Sequence, residues 1–364
     1  MNPISAKIPW QDALGEIPLH LSYFEGTLSE TVFRMTERYP GRIAYEFLGR
    51  RTTYAEMRRQ ILAYAASLQA LGIGAGDCVT IALPNCPQAV CLFYAVNLAG
   101  GVANMIHPLS ARREIAFYLK ESGSTVAVTL DEFAEKFSAI RQETGLQHLI
   151  LARIRDELPP LKAVGYALKE GRKTPSRSAD VLAWRDFLRL GKHHAFTPAP
   201  RSGEESAVIL YSGGTTGTTK GILLTNRNFN ALGQQVIAAN PMFTPGDRML
   251  AAMPMFHGFG LGVCIHAMLS HGGCAVLVPR FTPRSYAALL VRRRCAFVAG
   301  VPTLYEALLR QDAMAGADLS FLKGVFSGGD SLSPELKKKL DAFLAAHHAP
   351  VSVREGYGTT ETVT

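Results

Sequence analysis

Charge is what this chain has little of. Only 19% of its 364 residues are Asp, Glu, Lys or Arg, and two long stretches, 78–111 and 249–279, hold none. With 48% hydrophobic residues, that balance excludes a disordered or solvating tail and fits a folded protein with ample core material. Long apolar runs are also lacking. The first charge-free stretch is broken by Pro84, Asn85, Pro87, Gln88, Asn97, Gly100, Gly101 and Asn104, and the second by Pro254, His257, Gly258, Gly272 and Gly273. A spanning helix needs about 20 predominantly apolar residues, so a buried strand–helix–strand unit is expected instead of a membrane span. Cysteines are few, and none of the six forms a C-x-x-C pair. Met1–Pro18 offers only Lys7 as a base and no continuous apolar region, so no signal peptide is expected. Free thiols in a reducing cytoplasm follow from both absences.

Short apolar runs alternate with longer periodic segments, which predicts an α/β protein with mostly parallel sheets covered by helices. Strands are expected at Val79–Leu83, Val102–Ile106, Val126–Leu130, His148–Leu151, Ala207–Leu210, Arg248–Ala252, Cys274–Val278, Phe297–Gly300, Gly324–Phe326 and Val351–Arg354. Helices are expected at Thr53–Ala70, Pro87–Ala99 and Ala111–Glu121. Another follows Ser333-Pro334-Glu335, where a cap residue, a first-position proline and a first-turn acid precede Leu336–His347. The net charge of +8 is uneven: from Arg153 to Arg201 there are eleven Lys/Arg against five Asp/Glu. Here the basic residues flank apolar sets, Leu161, Val164, Tyr166, Ala167, Leu168 and Val181, Leu182, Trp184, Phe187, Leu188. A solvated linker at about 153–203 is expected; seating on an anionic bilayer surface is the alternative.

Residues 211–221, Tyr-Ser-Gly-Gly-Thr-Thr-Gly-Thr-Thr-Lys-Gly, follow an apolar strand-like run. Glycines turn backbone N–H groups toward a polyphosphate, hydroxyls add donors and a lysine adds a point charge. The P-loop of nucleoside triphosphatases requires G-x-x-x-x-G-K-[ST]. Thr219 before Lys220, and Gly221 after it, break that pattern.

The loop instead resembles the signature [ST]-[SG]-G-[ST]-T-G-x-P-K-G of the adenylate-forming superfamily, which includes acyl-CoA synthetases, firefly luciferase and the adenylation domains of peptide synthetases. It departs only by Thr219 where proline is usual. Met253–Gly260 is similar to the P-x-x-H-x-x-G segment, Ser327–Leu332 to the G-G-x-x-L turn, and Gly356–Glu361 to Y-G-x-T-E. Thr53–Met57 and Gly100–Leu109 also fit. Bacterial long-chain fatty acyl-CoA synthetases are the nearest resemblance.

That resemblance implies the large N-terminal domain of the acyl-CoA synthetase type. A first α/β subdomain is expected over 1–200 and a second over 201–364, with the C-terminal small domain absent. It implies that Ser212, Gly213, Gly214, Thr215, Thr216, Gly217, Thr218 and Lys220 hold the phosphates of ATP. Adenine would lie among Gly328, Gly329, Asp330, Gly356, Tyr357, Gly358 and Thr359; Thr360 would reach the α-phosphate and Glu361 would ligate Mg2+. His257 would border the acyl carboxylate, with Met255, Phe256, Phe259, Leu261 and Val301 as pocket walls. Threonine at 219 is expected to loosen the loop entropically. The implied reaction is ATP-dependent activation of a carboxylic acid, medium- or long-chain fatty acid first, with coenzyme A as cosubstrate. The partner is a small carboxylate, not nucleic acid. The location is cytoplasmic, with contact to the inner face of the membrane through the basic stretch as the alternative to a solvated linker. The family's downstream aspartate, hinge and C-terminal lysine do not occur in residues 1–364, so little adenylation is expected of this chain alone. Delivery to a carrier protein and non-catalytic nucleotide or acyl binding are the rival readings.

Overall fold

The computed structural model describes residues 14–159, 162–165, 180–213 and 219–364. Gly214, Thr215, Thr216, Gly217 and Thr218 of the phosphate loop, and Leu161, Tyr166, Ala167 and Leu168 of the basic stretch, lie outside the described residues.

Two seven-stranded sheets carry the fold. The first has β3 (Cys78–Ala82), β4 (Val102–Met105), β5 (Val126–Leu130), β6 (His148–Ala152), β7 (Val181–Ala183), β8 (Ser206–Ser212) and β9 (Lys220–Thr225), in the order β7-β6-β5-β3-β4-β8-β9. The second has β1 (Ile43–Phe47), β2 (Arg50–Thr53), β10 (Arg248–Ala251), β11 (Cys274–Leu277), β12 (Phe297–Gly300), β13 (Gly324–Ser327) and β14 (Val353–Glu355), in the order β14-β13-β12-β10-β11-β1-β2. All neighbours run parallel except the edge pairs β1–β2 and β8–β9. A boundary at residue 200 therefore does not divide the sheets. The β8–β9 pair, from after that point, completes the first sheet, and the β1–β2 hairpin, from before it, completes the second.

The charge-free stretch 78–111 is indeed strand, helix and strand. Helix Pro87–Leu98 is buried from Pro87 to Asn97, so it has no face for charge to occupy. Proline fits its first turn because no N–H is needed there. Helix Tyr54–Ala70 begins with a reciprocal cap: Glu56 N–H donates to the Thr53 hydroxyl at 3.2 Å, and Thr53 N–H donates to the Glu56 carboxylate at 2.7 Å. Thr53–Met57 therefore has a local structural function. Helix Pro334–Ala346 opens as expected, with Leu336 N–H on the Ser333 hydroxyl at 3.2 Å. Among the described residues no helix is long and apolar enough to cross a membrane.

The β1–β2 hairpin was not legible, because its polar residues hide the alternation. Glu46 is 1% exposed, yet it is held by Arg51 and Arg248 at 3.3 Å each and by Arg293 at 3.1 Å. A carboxylate there is tolerated because three guanidinium groups replace its water.

Candidate active site

Open parallel sheets bind ligands outside the carboxyl ends of their strands. The segments singled out by motif lie at such ends. The Met253–Gly260 segment follows β10, Gly328–Asp330 follows β13, Gly356–Glu361 follows β14, and Ser212 and Lys220 stand opposite each other as the last β8–β9 pair.

Backbone contacts join the adenine-side segments. Gly356 N–H donates to the Ser327 carbonyl at 2.8 Å, and Gly328 N–H to the Gly300 carbonyl at 3.1 Å. The Glu355 carboxylate accepts from Leu332 N–H at 3.0 Å, closing the Gly328–Leu332 turn onto β14. Gly329 sits at φ +79°, a left-handed conformation that favours glycine. Asp330 is exposed and its carboxylate accepts from Ser331 N–H at 2.8 Å. Two features leave this surface unsatisfied: the buried Ser327 hydroxyl has no hydrogen-bond partner, and Tyr357 stands 95% exposed. A large aromatic presented to solvent beside two backbone turns is a ready stacking surface for a flat ring.

Residues 359–363 close on themselves, with Thr362 N–H on the Thr359 carbonyl at 2.9 Å and Val363 N–H on the Thr360 carbonyl at 3.0 Å. The turn Thr360–Thr362 packs against β8 and β9, which brings Glu361 to the strands that flank the phosphate loop. Buried Val363 anchors the turn: a Cβ on Gly258 would overlap its carbonyl oxygen. The Glu361 carboxylate is exposed. Among the described residues no group of three or more His, Cys, Asp or Glu could hold a metal ion. A lone exposed carboxylate fits a hard cation that takes its other ligands from phosphate and water.

The two sheets meet through Asn85, just after β3. Its amide donates to the carbonyls of Ala251 at 3.0 Å and Met253 at 2.8 Å, and its oxygen accepts from Met255 N–H at 2.9 Å. One buried side chain thus shapes the loop that carries Phe256 and His257. His107, after β4, closes the same gap by placing its ring 4.3 Å from that of Phe256. Its Nδ1 accepts from Leu109 N–H at 2.9 Å, so the neutral ring carries its proton on Nε2. The His257 imidazole pKa is lowered, first by desolvation and then by His107. His107 is lowered by desolvation, with Glu114 opposing and Lys136 assisting. Both rings are held toward the neutral form.

Phe256, Phe259 and Val301 are half-buried, and Gly328 and Gly329 lie against Phe259 and Val301. Met255 and Leu261 are fully buried and belong to the core, not to a wall. Leu261 sits in a π-helix, Phe259–His266, a form enriched near functional sites. His266 at its end is fully buried. Its Nε2 lies 3.1 Å from the Asn230 oxygen and its Nδ1 3.1 Å from the Tyr94 hydroxyl, so each nitrogen is satisfied in the neutral ring. Burial lowers its pKa to about 3. Because the unfolded value is about 6.5, the unfolded chain takes up this proton first. The stability from neutral His266 is complete above that value and is lost as pH falls toward about 3. A urea-denaturation series should show this loss at up to about 1.4 kcal/mol per pH unit, and the slope should be reduced in His266→Asn.

A cavity of about 1040 Å³ lies elsewhere, between helices Tyr54–Ala70 and Trp184–Lys192. Arg59, Arg155, Arg185 and Lys192 line it beside Trp184 and Leu188. Glu56, Asp156 and Glu157 line it as well, so its walls carry both signs of charge and come from residues 50–64 as well as from the basic stretch.

Sequence reasoning missed the role of Asn85 and noticed His107 only within a longer segment. A single Asn after a proline carries no motif, and its value lies in backbone groups 166 to 170 residues away.

Two mostly parallel sheets, with the motif segments placed at the ends of their strands, define an α/β fold. Residues 32–364 match the AMP-binding enzyme family, and the chain belongs to it. It is 28% identical over 359 residues to the long-chain-fatty-acid–CoA ligase of Bacillus subtilis, covering 97% of this chain and 63% of that protein. It is also 28% identical over 362 residues to 4-coumarate–CoA ligase 2 of Oryza sativa subsp. japonica, covering 98% of this chain and 59% of that protein. The chain thus spans about three fifths of these relatives. Its fold matches the inhibitor-bound N-terminal domain of FACL13 from Mycobacterium tuberculosis with a TM-score of 0.75 at 24% identity, over 93% of this chain and 77% of that one.

Proposed function

We propose that this chain forms the ATP- and acid-binding part of an enzyme that activates a medium- or long-chain fatty acid as its acyl-adenylate and passes it to coenzyme A. The approach of Gly328–Asp330 and Gly356–Glu361, which follow strands of the second sheet, to the feet of the 211–221 loop on the first sheet, through the Thr360–Thr362 turn, supports this reading. In the first step a carboxylate oxygen attacks the α-phosphorus of ATP and pyrophosphate leaves with the bonding pair. In the second the thiolate of coenzyme A attacks the acyl carbon and AMP leaves.

Such transfers depend on positioning and charge stabilisation more than on a nucleophilic side chain. Ser212, Gly213 and Lys220, with Gly214, Thr215, Thr216, Gly217 and Thr218 between them, hold the β- and γ-phosphates. Tyr357 stacks on adenine while Gly328, Gly329, Asp330, Gly356, Gly358 and Thr359 border it. Thr360 donates to the α-phosphate. Glu361 holds Mg2+, which when bound neutralises phosphate charge. His257, neutral at pH 7, offers an N–H to the acyl carboxylate without adding a competing cation. The basic stretch serves as a solvated linker, with seating on the anionic inner face of the membrane as the alternative.

Carboxylate-dependent ATP–pyrophosphate exchange tests this proposal. It should be measured on residues 1–364 and on any longer product of the same reading frame, with fatty acids of graded length and aryl acids. Exchange peaking at a C8–C18 fatty acid is expected. A peak with an aryl acid would move the substrate class toward that of the rice relative. ATP binding with no exchange for any acid would favour a non-catalytic nucleotide-binding protein.

A further inference from the structure

Three aromatic rings meet where the two sheets face each other. The His107 ring, on the turn after β4, lies 4.3 Å from Phe256, and Phe256 lies 4.7 Å from His257 on the segment after β10. Both backbones are tied down. On the first sheet, Leu109 N–H donates to His107 Nδ1 at 2.9 Å and Ser110 N–H to the His107 carbonyl at 3.1 Å. Lys136 Nζ donates to the carbonyls of Leu109 at 3.2 Å and Ser110 at 3.1 Å, and Ala111 N–H donates to the Glu114 carboxylate at 2.8 Å. On the second sheet, Asn85 holds Met255 N–H, and His257 N–H donates to the Pro254 carbonyl at 3.1 Å. The His257 imidazole itself is left to its neighbours. Among the described residues its ring makes no hydrogen bond, and Phe256 is the ring against it. Phe256 in turn is half-buried, with His107 resting on it from the opposite sheet.

We infer that His107 is a positioning residue for the Phe256–His257 pair: its ring, resting on Phe256 across the gap between the sheets, fixes where the His257 imidazole stands. The consequence for acid binding rests on reading His257 as the residue beside the acyl carboxylate. Asn85 and the backbone hydrogen bonds set the path of the loop but not the side-chain torsions on it. Those torsions populate several wells, and a neighbour on one face removes some of them. With its proton on Nε2, His107 meets Phe256 as an uncharged flat ring. An aromatic pair at such a separation is favourable beyond the area that it buries. Because His107 acts through Phe256, its loss should weaken acid binding and leave MgATP binding unchanged.

Two substitutions separate the ring from the turn that carries it. His107→Asn deletes the ring but keeps an acceptor for Leu109 N–H, since an Asn side chain bonds the backbone two residues on. His107→Phe keeps the ring and gives up the acceptor, at a turn exposed enough for water to replace it. Both remove the imidazole, so the two are compared with each other. On residues 1–364, affinities for dodecanoate and for MgATP are measured by calorimetry, with thermal midpoints as the folding control. Overhauser contacts between the Phe256 and His257 rings are recorded at a pH above both histidine titrations. An aromatic contact corresponds to roughly twofold to tenfold in affinity. His107→Asn should lose about that factor for dodecanoate, weaken the ring-to-ring contacts and leave MgATP affinity alone, whereas His107→Phe should stay near the parent in all three. In a Phe256→Leu background, His107→Asn should cost less than about twofold. The reverse order, with Asn harmless and Phe damaging, would assign His107 to its own turn and overturn the inference. So would unchanged ring contacts in His107→Asn, or an equal loss with and without Phe256. If the parent binds no dodecanoate, the acid-site reading fails, and the ring contacts alone decide whether His107 positions the pair.

Discussion

Replacing Asn85 with leucine should lower the stability of the protein by about 2 to 6 kcal/mol, because two buried backbone groups and one part-buried group lose their partner together. The carbonyl of Ala251 and the N–H of Met255 are buried away from water, and the carbonyl of Met253 is part-buried. Urea denaturation will read the loss as a shift in midpoint without a large change in slope. A second signature separates this from ordinary core damage. As the 252–257 loop relaxes, His257 moves away from His107, and its titration in a histidine-resolved proton spectrum should move up toward the ordinary value. Asn85→Asp offers a control. It preserves the acceptor for Met255 but faces two carbonyls with a carboxylate, so it should also be destabilised, most strongly where that carboxylate is ionised. A leucine variant with wild-type midpoint and unmoved His257 would refute the role assigned to Asn85.

Glu361→Gln should cut Mg2+-dependent ATP binding by about a hundredfold, on the view that losing an anionic ligand to a hard cation costs several kcal/mol. Glutamine keeps the shape and removes the charge. ATP affinity measured without divalent metal should change little, since Tyr357 and the backbone turns at Gly328 and Gly356 remain in place. Chelation of Mg2+ from the parent protein should reproduce the variant. Equal loss with and without metal would instead assign Glu361 to holding the 359–363 turn.

The sheets and most helices were legible because their signals are local. Apolar runs such as Val126–Leu130 become strands buried on both faces, and Ser333-Pro334-Glu335 starts a helix without help from elsewhere. The site motifs were legible because glycine and hydroxyl spacing survives in the order of residues. Two features were hidden for a common reason. Glu46 is acceptable in a strand only because Arg248 and Arg293 arrive from distant segments. Asn85 matters through a loop more than 160 residues later. Side chains whose value lies in long-range partners leave no periodicity behind.

The hairpin that completes the second sheet has a consequence for synthesis. Tyr45 finds its parallel neighbour at Ala275, 230 residues later. At about 5 to 20 residues per second, a ribosome needs roughly 10 to 50 s to make the intervening chain. Through that interval β1 carries an apolar face and an unsatisfied edge, with β2 as its sole strand partner. A chaperone that recognises extended apolar segments should therefore engage the nascent chain near residues 43–53, and let go once β11 has left the exit tunnel.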